Sequence, residues 1–384
     1  MNSQRSTLST QPAARPRYIM IGGFLGAGKT TAVAALAQRL SARGLRVGLI
    51  TNDQGSELVD TAMLRAKGFA TEEIPGGCFC CRFNSLVDAA AKLTETTLPD
   101  AFIAEPVGSC TDLVATVSYP LRRMYGEEFA VAPLSVLVDP IRAEQVFGLA
   151  GGKKFSDKVL YIFRKQLEEA DFIVIAKNDL LSADRLQRLI ARLSSEFPKA
   201  EILNVSVREN RGVDAWFARI CEGEQQPRST MEVDYELYAE GEALLGWLNA
   251  TAQLDCGDGF DADAVLRALA ADIQRRLAAA EIAHLKMTLS PHGGLGDIAA
   301  INLARSDFVP ELSLKLEAPV TAGQLIINCR AEAAPETLRD AVRQSISALP
   351  TQFPDLTAQL DHLEYFRPGR PQPTHRDVAA APSC

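Results

Sequence analysis

Two groups of residues in this chain carry recognisable chemistry. Cys78, Cys80 and Cys81 place three thiols within four residues, and thiolates are soft ligands that suit Zn²⁺ or Cu⁺. Upstream, the segment GFLGAGKT at 23–30 fills every fixed position of the pattern G-x-x-x-x-G-K-[ST], which cradles nucleotide phosphates. Together the two motifs predict a protein that uses a nucleotide to control a metal ion.

The glycine-rich segment predicts a role for each of its residues. Its glycines let backbone N–H groups turn toward phosphates where a Cβ would obstruct them. Lys29 supplies a positive charge to the terminal phosphates, and Thr30 offers its hydroxyl to Mg²⁺. The alternative is a chance match to the pattern. Such a match is rare when a predicted strand precedes the motif and a predicted helix follows it. The predicted nucleotide-binding residues here are Gly23, Gly26, Ala27, Gly28, Lys29, Thr30 and Thr31.

A second phosphate-sensing loop is predicted at Glu105-Pro106-Val107-Gly108, directly after the apolar strand AFIAE. An acid at a strand end can orient Mg²⁺ through its waters, and a glycine N–H can meet the γ-phosphate. We therefore predict Lys29, Thr30 and Glu105 as catalytic residues that position and stabilise the phosphates. Thr30 and Glu105 are the predicted Mg²⁺ ligands. Gly108 is predicted to contact the nucleotide. A helix cap or a surface acid is the alternative role of Glu105.

The base is predicted to bind at Lys177-Asn178-Asp179, which follows the strand DFIVIA. A carboxylate here can accept hydrogen bonds from the ring N–H and the exocyclic amine of guanine, a donor pair that adenine lacks on that edge. The Lys177 stem can lie along the base plane. A plain helix cap is the alternative role of Asp179.

The cysteine cluster follows two glycines, Gly76 and Gly77, which permit a turn that brings the three thiols together. Three sulfurs leave one tetrahedral position on zinc open for water, a carboxylate or a ligand from a client, which suits a carrier. Buried cysteines acting as small hydrophobes are the alternative. Cys110 is predicted to be a buried thiol, with an approach to the nucleotide or the metal as its alternative.

The composition is that of an ordinary globular protein, with 384 residues, 47% hydrophobic and 23% charged. The net charge of −8 predicts no nucleic-acid partner. Residues 1–16 are polar and do not resemble a secretory signal, and no apolar run approaches the roughly 20 residues that span a bilayer. We expect a cytoplasmic protein that does not bind membranes.

Short apolar strands alternate with helical segments over the first 220 residues, which predicts an α/β fold: a P-loop NTPase with a mostly parallel sheet flanked by helices. The second half predicts a smaller C-terminal α+β domain with an open antiparallel sheet. The expected boundaries are a disordered N-terminus at 1–16, a P-loop GTPase domain at 17–220, a linker at 221–234, the α+β domain at 235–366 and a disordered tail at 367–384.

These motifs resemble the CobW family of P-loop GTPases, related to the urease and hydrogenase nickel-insertion GTPases. The resemblance rests on GGFLGAGKTT at 22–31, E-x-x-G at 105–108, C-x-C-C at 78–81 and K-N-D at 177–179, and covers roughly residues 17–220. It implies binding of GTP and Mg²⁺, slow GTP hydrolysis, and delivery of Zn²⁺ or Co²⁺. The implied partners are a client metalloprotein or a corrinoid protein, and a homodimer is a candidate assembly.

The chain departs from the family pattern in two places. Ala176 stands where the base motif usually begins with Asn or Thr, so guanine affinity is expected to be lower although Asp179 remains. In the switch-like segment that begins at Asn52, Ser56 follows Gly55 where a Glu is usual, and Glu57 lies one residue later.

Three classes of function compete. The first is a metal-handling GTPase, either a zinc carrier or a variant that serves corrinoid cofactor assembly. The second is a nucleotide-gated interaction protein without significant turnover. The third is a small-molecule kinase, for which Arg122 and Arg123 are the candidate lid residues, although nothing around them indicates a lid.

Overall fold

The computed structural model describes residues 15–55, 59–293 and 297–378, and two sheets organise them. The first sheet is built from short apolar segments, of which β1 (Arg17–Gly23) is buried along most of its length. Its other strands are β2 (Val47–Asn52), β3 (Ala70–Ile74), β4 (Ala101–Glu105), β5 (Ala130–Val131), β6 (Ser135–Val138), β7 (Phe172–Ile175) and β8 (Glu201–Asn204). All the pairings are parallel, in the order β3-β2-β4-β1-β6-β7-β8, with β5 beside β1.

Helices cover both faces of this sheet, because parallel strands buried on both sides need apolar neighbours above and below. They are α1 (Lys29–Ala42), α2 (Val59–Ala66), α3 (Phe83–Thr97), α4 (Tyr119–Tyr125), α5 (Pro140–Val146), α6 (Asp157–Glu168), α7 (Ala183–Glu196) and α8 (Val213–Glu222). A π-helical turn at Val114–Ser118 precedes α4. The sheet reverses its strand order at β1, and ligands bind at the carboxyl ends of strands beside such a switch point.

The second sheet is antiparallel and has the order β12-β11-β10-β13-β9-β14. Its elements are α9 (Tyr235–Leu244), β9 (Leu245–Phe260), α10 (Ala262–Arg276), β10 (Glu281–Pro291), β11 (Ala299–Leu303), β12 (Glu311–Leu314), β13 (Val320–Glu332), α11 (Pro335–Gln352) and β14 (Thr357–Phe366). Asp234 and Asp261 cap α9 and α10 by accepting backbone N–H bonds. The predicted α+β C-terminal domain is confirmed.

Buried ion pairs join the second sheet to the first. Arg330, fully buried on β13, donates to both carboxylate oxygens of Asp53 at 3.0 and 3.2 Å, and its guanidinium lies 4.1 Å from the ring centre of Trp247. Arg305 lies 2.9 Å from Asp139 in the same interface. Buried charges are stable only when paired, so these contacts fix how the C-terminal domain sits on the nucleotide-binding edge.

The structure adds elements that the sequence analysis did not predict. Strand β3 has the sequence ATEEI, whose acidic residues hide it from a search for apolar runs, and β14 and α9 were also missed. Residues 223–234 contain no helix or strand. Residues 1–14, and Ser56 and Glu57 of the switch-like segment, lie outside the described residues.

The predicted disorder of the tail does not describe residues 367–378. Thr374 N–H donates to Cys80 O at 2.8 Å, and Arg376 lies 2.7 Å from Asp112. The Pro-rich composition that suggested disorder also suits an extended segment that packs on a surface without helix or sheet. Within the described parts of the chain, no helix is long and apolar enough to cross a bilayer.

Candidate nucleotide and metal sites

The glycine-rich loop between β1 and α1 forms the floor of a cavity of about 480 Å³. Gly28 precedes α1 with φ 98° and Gly26 has φ 80°, conformations that favour glycine. A Cβ on Gly26 would lie 2.9 Å from Ala283 O of the C-terminal domain, so this domain packs directly on the loop. Lys29 and Thr30 are buried where the helix begins. The volume and the helix N-terminus that faces the cavity suit a nucleotide.

The cavity brings together most of the residues predicted to bind nucleotide. Its lining includes Gly26, Ala27, Gly28, Lys29, Thr30, Thr31, Glu105, Gly108, Lys177 and Asp179. Gly23 is not among the lining residues, because it lies under the loop, where a Cβ would come within 2.4 Å of Leu137 O. Gly23 instead allows β1 to pack closely against β6.

Three oxygen-bearing side chains converge at the phosphate end of the cavity. Thr30 Oγ1 lies 2.7 Å from Asp60 Oδ1 and 3.0 Å from Glu105 Oε1. Glu105 Oε2 is buried without a hydrogen-bond partner among the described residues. Hydroxyl and carboxylate oxygens are the donors that Mg²⁺ prefers, so this set fits Mg²⁺. The sequence analysis found Thr30 and Glu105 but did not single out Asp60, which ends the switch-like segment.

A lysine of the C-terminal domain lies in the same cluster. Lys286 Nζ on β10 is 2.6 and 2.7 Å from the two carboxylate oxygens of Asp60 and 3.4 Å from Thr30 Oγ1. Burial raises the pKa of Glu105 to about 7, and the charge of Asp60 adds to the rise. Burial also opposes the ionised form of Asp60, but Lys286 outweighs it and the pKa of Asp60 is lowered. No sequence motif marked Lys286.

The opposite end of the cavity carries the predicted base-binding residues. Lys177 adopts φ 51° and donates to Gly26 O and Asp139 Oδ2, both at 2.9 Å. Asp179 Oδ1 is buried and has no hydrogen-bond partner within the described chain. An unpaired buried acceptor is costly unless a ligand satisfies it, and guanine offers the matching donors. Ala176 is buried beside them and contributes no polar group.

The three clustered thiols meet as predicted. Cys78 Sγ lies 2.7 Å from Cys80 Sγ and 3.2 Å from Cys81 Sγ, and the remaining pair is 3.7 Å apart. All three sulfurs lie within 4.8 Å of one another. Zinc with Zn–S bonds of about 2.3 Å places its sulfurs about 3.8 Å apart, so small outward shifts would admit the ion.

Residues from outside the motif surround the cluster. Cys110 is buried, as predicted, and its thiol is also a hydrogen-bond partner of the thiols of Cys78 and Cys80. It therefore lies beside the cluster, although it is not one of the three sulfurs within 4.8 Å of one another. Burial raises the pKa of Glu242 on α9 well above its ordinary value, and the neighbouring Cys78 adds to the rise. The described tail also contacts the cluster, since Gln372 N–H donates to Cys81 Sγ at 3.2 Å.

One side chain connects the nucleotide cavity to the cysteine cluster. Asn52 lines the cavity, and its Nδ2 donates to Ile74 O at 2.8 Å and to Gly77 O at 2.6 Å. Gly77 directly precedes Cys78. A movement at the end of β2 would therefore reach the first thiol of the cluster through a half-buried hydrogen bond.

The candidate kinase residues lie elsewhere. Arg122 donates to Gln225 O, and Arg123 forms an ion pair with Asp377 at 3.3 Å. Neither arginine lines the nucleotide cavity. The structure gives no support to a lid at these residues.

Comparison with known proteins agrees with the geometry. Residues 17–204 match the family described as the CobW/HypB/UreG nucleotide-binding domain. Zinc chaperone CobW of Sinorhizobium sp is 31% identical over 204 residues, which cover 46% of this chain and 54% of that protein. Zinc chaperone YjiA of Escherichia coli (strain K12) is 24% identical over 186 residues, covering 47% and 55%. The chain spans about half the length of the curated relatives it matches.

Among solved structures, Zn(II)-bound YjiA GTPase from E. coli is similar over 86% of this chain and 99% of that chain, with 12% identity and a TM-score of 0.34. The family match falls on the half that holds the glycine-rich loop, the cysteine cluster and the base-binding segment. Residues 17–204 therefore form a nucleotide-binding domain of the CobW/HypB/UreG family.

Proposed function

We propose that this protein is a GTPase that carries Zn²⁺ on Cys78, Cys80 and Cys81 and couples GTP hydrolysis to delivery of the ion to a client metalloprotein. The observation that supports this proposal most directly is the shared scaffold of the two sites. Asn52 lines the nucleotide cavity and holds the carbonyl next to Cys78. A change in nucleotide state can therefore alter the geometry of the thiols.

In this proposal the cavity residues bind and position the nucleotide. Lys29 neutralises charge on the terminal phosphates, and the backbone of the glycine-rich loop supplies N–H donors to them. Thr30, Asp60 and Glu105 would hold Mg²⁺, which when bound would offset phosphate charge. Asp179 selects guanine by accepting the hydrogen bonds that adenine does not offer.

Zinc is the proposed cargo for chemical reasons. Three thiolates are a soft donor set and leave a fourth position that another ligand can complete or vacate. Two relatives that match about half of this chain are named zinc chaperones. Cobalt delivery to a corrinoid protein is the competing outcome, and the experiment below separates the two by comparing the ions directly.

The test measures metal and turnover on the same purified protein. Bound metal is determined in the wild-type chain, in the triple variant C78S/C80S/C81S and in Cys256→Ser, a control that changes a buried cysteine in the other domain. GTP hydrolysis is then followed with Zn²⁺, with Co²⁺ and without added metal. We expect the wild-type and control proteins to bind one Zn²⁺ per chain and the triple variant to bind none.

Three results would contradict the proposal. GTP binding without hydrolysis, even in the presence of metal, would indicate the nucleotide-gated interaction protein. Zinc binding that survives in the triple variant would place the ion away from the cysteine cluster. Tighter binding of Co²⁺ than of Zn²⁺ on the same thiols would replace zinc with cobalt as the cargo.

A further inference from the structure

The loop after β4 touches both sites within three residues. Gly108 lines the nucleotide cavity, and the thiol of Cys110 is a hydrogen-bond partner of the thiols of Cys78 and Cys80, outside the set of three sulfurs that lie within 4.8 Å of one another. Cys110 N–H donates to Val107 O at 2.9 Å, so the intervening residues form a tight turn. Cys110 is only 1% exposed and faces the cluster from a loop that the C-x-C-C motif does not contain.

The donors around the cluster exceed what the three motif cysteines provide. Glu242 is 1% exposed, its Oε1 accepts a hydrogen bond from Ser109 Oγ at 2.6 Å, and its Oε2 has no partner among the described residues. An unpaired buried carboxylate oxygen beside thiols is costly unless a ligand or a proton satisfies it. Ser109 and Cys110 are consecutive, so one turn presents a thiol and orients a carboxylate at the same place.

Hydrogen bonds from one side chain also hold both ends of the turn, so that the two ends move together. Gln166 Nε2 on α6 donates to Gly108 O at 3.0 Å and to Cys110 O at 2.9 Å. Gly108 packs against the glycine-rich loop, since a Cβ there would lie 2.6 Å from Leu25 Cδ2 and 3.0 Å from Leu25 N. A displacement of Gly108 toward the phosphates would therefore carry Cys110 with it.

We propose that Cys110 is a fourth thiolate ligand of the carried ion, and that the turn from Gly108 to Cys110 makes this ligand depend on the nucleotide. The inference rests on the proposed metal-carrying function. With Cys110 engaged, the ion has a closed four-sulfur shell and is held tightly. With Cys110 withdrawn, three thiolates remain and the fourth position opens to a ligand of the client.

Thermodynamic linkage makes this proposal quantitative. If the nucleotide state changes the affinity for Zn²⁺ by some factor, bound Zn²⁺ must change the relative affinity for the two nucleotides by the same factor. A metal ligand that moves with the loop would give the protein different affinities for Zn²⁺ in the two nucleotide states. Removal of the Cys110 thiol should therefore reduce both the affinity for Zn²⁺ and the linkage.

The experiment compares wild-type protein with Cys110→Ser, Cys110→Ala and the control Cys256→Ser. The affinity for Zn²⁺ is measured by chelator competition with GDP bound and with a non-hydrolysable GTP analogue bound. We expect both Cys110 variants to lose about 10- to 100-fold in affinity in the tighter state. The ratio between the two nucleotide states should fall to about one, while nucleotide affinity without metal stays unchanged.

A spectroscopic readout counts the sulfurs independently of affinity. On Co²⁺-loaded protein, the thiolate-to-metal charge-transfer absorbance should fall by about one quarter when one of four thiolates is removed. X-ray absorption of the zinc-loaded wild-type protein, in the state that binds zinc more tightly, should show four sulfur neighbours. The wild-type measurement does not depend on whether a variant folds.

The possible outcomes are distinct. Unchanged affinity and an unchanged Co²⁺ spectrum in the variants, or three sulfurs in the wild-type protein, would overturn the role of Cys110 as a ligand. A loss of affinity that is equal in both nucleotide states would overturn the switching. Wild-type protein that takes up no metal would instead refute the proposed function itself, before any Cys110 variant is made.

Discussion

Lys286 Nζ lies 2.6 Å from Asp60 Oδ1, so a lysine of the C-terminal sheet reaches the acid that stands beside Thr30 and Glu105 in the nucleotide-binding domain. The ammonium offsets carboxylate charge at the place whose oxygens fit Mg²⁺. A divalent cation and this ammonium compete for the same carboxylate. The contact therefore links the packing of the second domain to the state of the first.

Replacement of Lys286 with Met should strengthen Mg²⁺ binding in the presence of GDP by roughly three- to tenfold, because a competing cation is removed. The nucleotide-free protein should lose about 1–3 kcal/mol of unfolding free energy, because buried carboxylates lose their partner. Calorimetric Mg²⁺ titration and urea unfolding measure the two effects. The exposed Lys315→Met is the control, and weaker Mg²⁺ binding in Lys286→Met would contradict competition.

Exchange of Asp179 for Asn should change which base is bound. The variant replaces one acceptor with an N–H donor, so affinity for GTP should fall about 100-fold or more. Xanthosine triphosphate, which has a carbonyl in place of the guanine amine, should gain affinity. Competition binding with GTP, ATP and xanthosine triphosphate measures this change, with the exposed Asp184→Asn as control. Unchanged preference for GTP would show that Asp179 does not select the base.

The tail should slow the escape of metal. Gln372 N–H donates to Cys81 Sγ, and a proline at this position removes the donor without shortening the tail. We expect Gln372→Pro to accelerate transfer of Zn²⁺ to a chelator several-fold, because the hydrogen bond that stabilises the thiolate is lost. Gln372→Ala keeps the N–H and should behave like wild type. Equal acceleration in both variants would assign the effect to the side chain.

Glu169 should make stability depend on pH. Burial, and then the charge of Asp112, raise the pKa of Glu169 to about 8. The folded protein therefore keeps this proton up to about pH 8, whereas the unfolded chain loses it near the ordinary value of 4.5. The folded state binds more protons between these values, so unfolding free energy falls as the pH rises through them.

Replacement of Glu169 with Gln should flatten that slope. Between pH 5 and pH 8 the decline in unfolding free energy should be smaller in Glu169→Gln than in wild type, by about 1–3 kcal/mol. Glu169 accepts hydrogen bonds from Thr111 and Val114, and Gln keeps only one of these two acceptors. The absolute stability of the variant therefore also changes, so the dependence on pH is the quantity to compare. Urea unfolding across this range measures it, and the exposed Glu168→Gln should keep the wild-type slope.

Much of the nucleotide-binding domain follows from local pattern. Strand β1, the glycine-rich loop and α1 are adjacent in the chain, and their apolar runs and glycines predict their structure without distant partners. The same holds for the meeting of Cys78, Cys80 and Cys81, since a short turn suffices to bring them together. The mostly parallel sheet and the open antiparallel sheet were both predicted from the order of their elements.

The amino-acid sequence by itself determined the two motifs, the class of each sheet and the family resemblance, because these depend on residues that are close along the chain. The tertiary structure alone decided that Lys286 faces Asp60, that Cys110 and Glu242 adjoin the thiols and that residues 367–378 lie against them. Those contacts join residues far apart in sequence. Their geometry depends on how the two sheets pack, which no local spacing encodes.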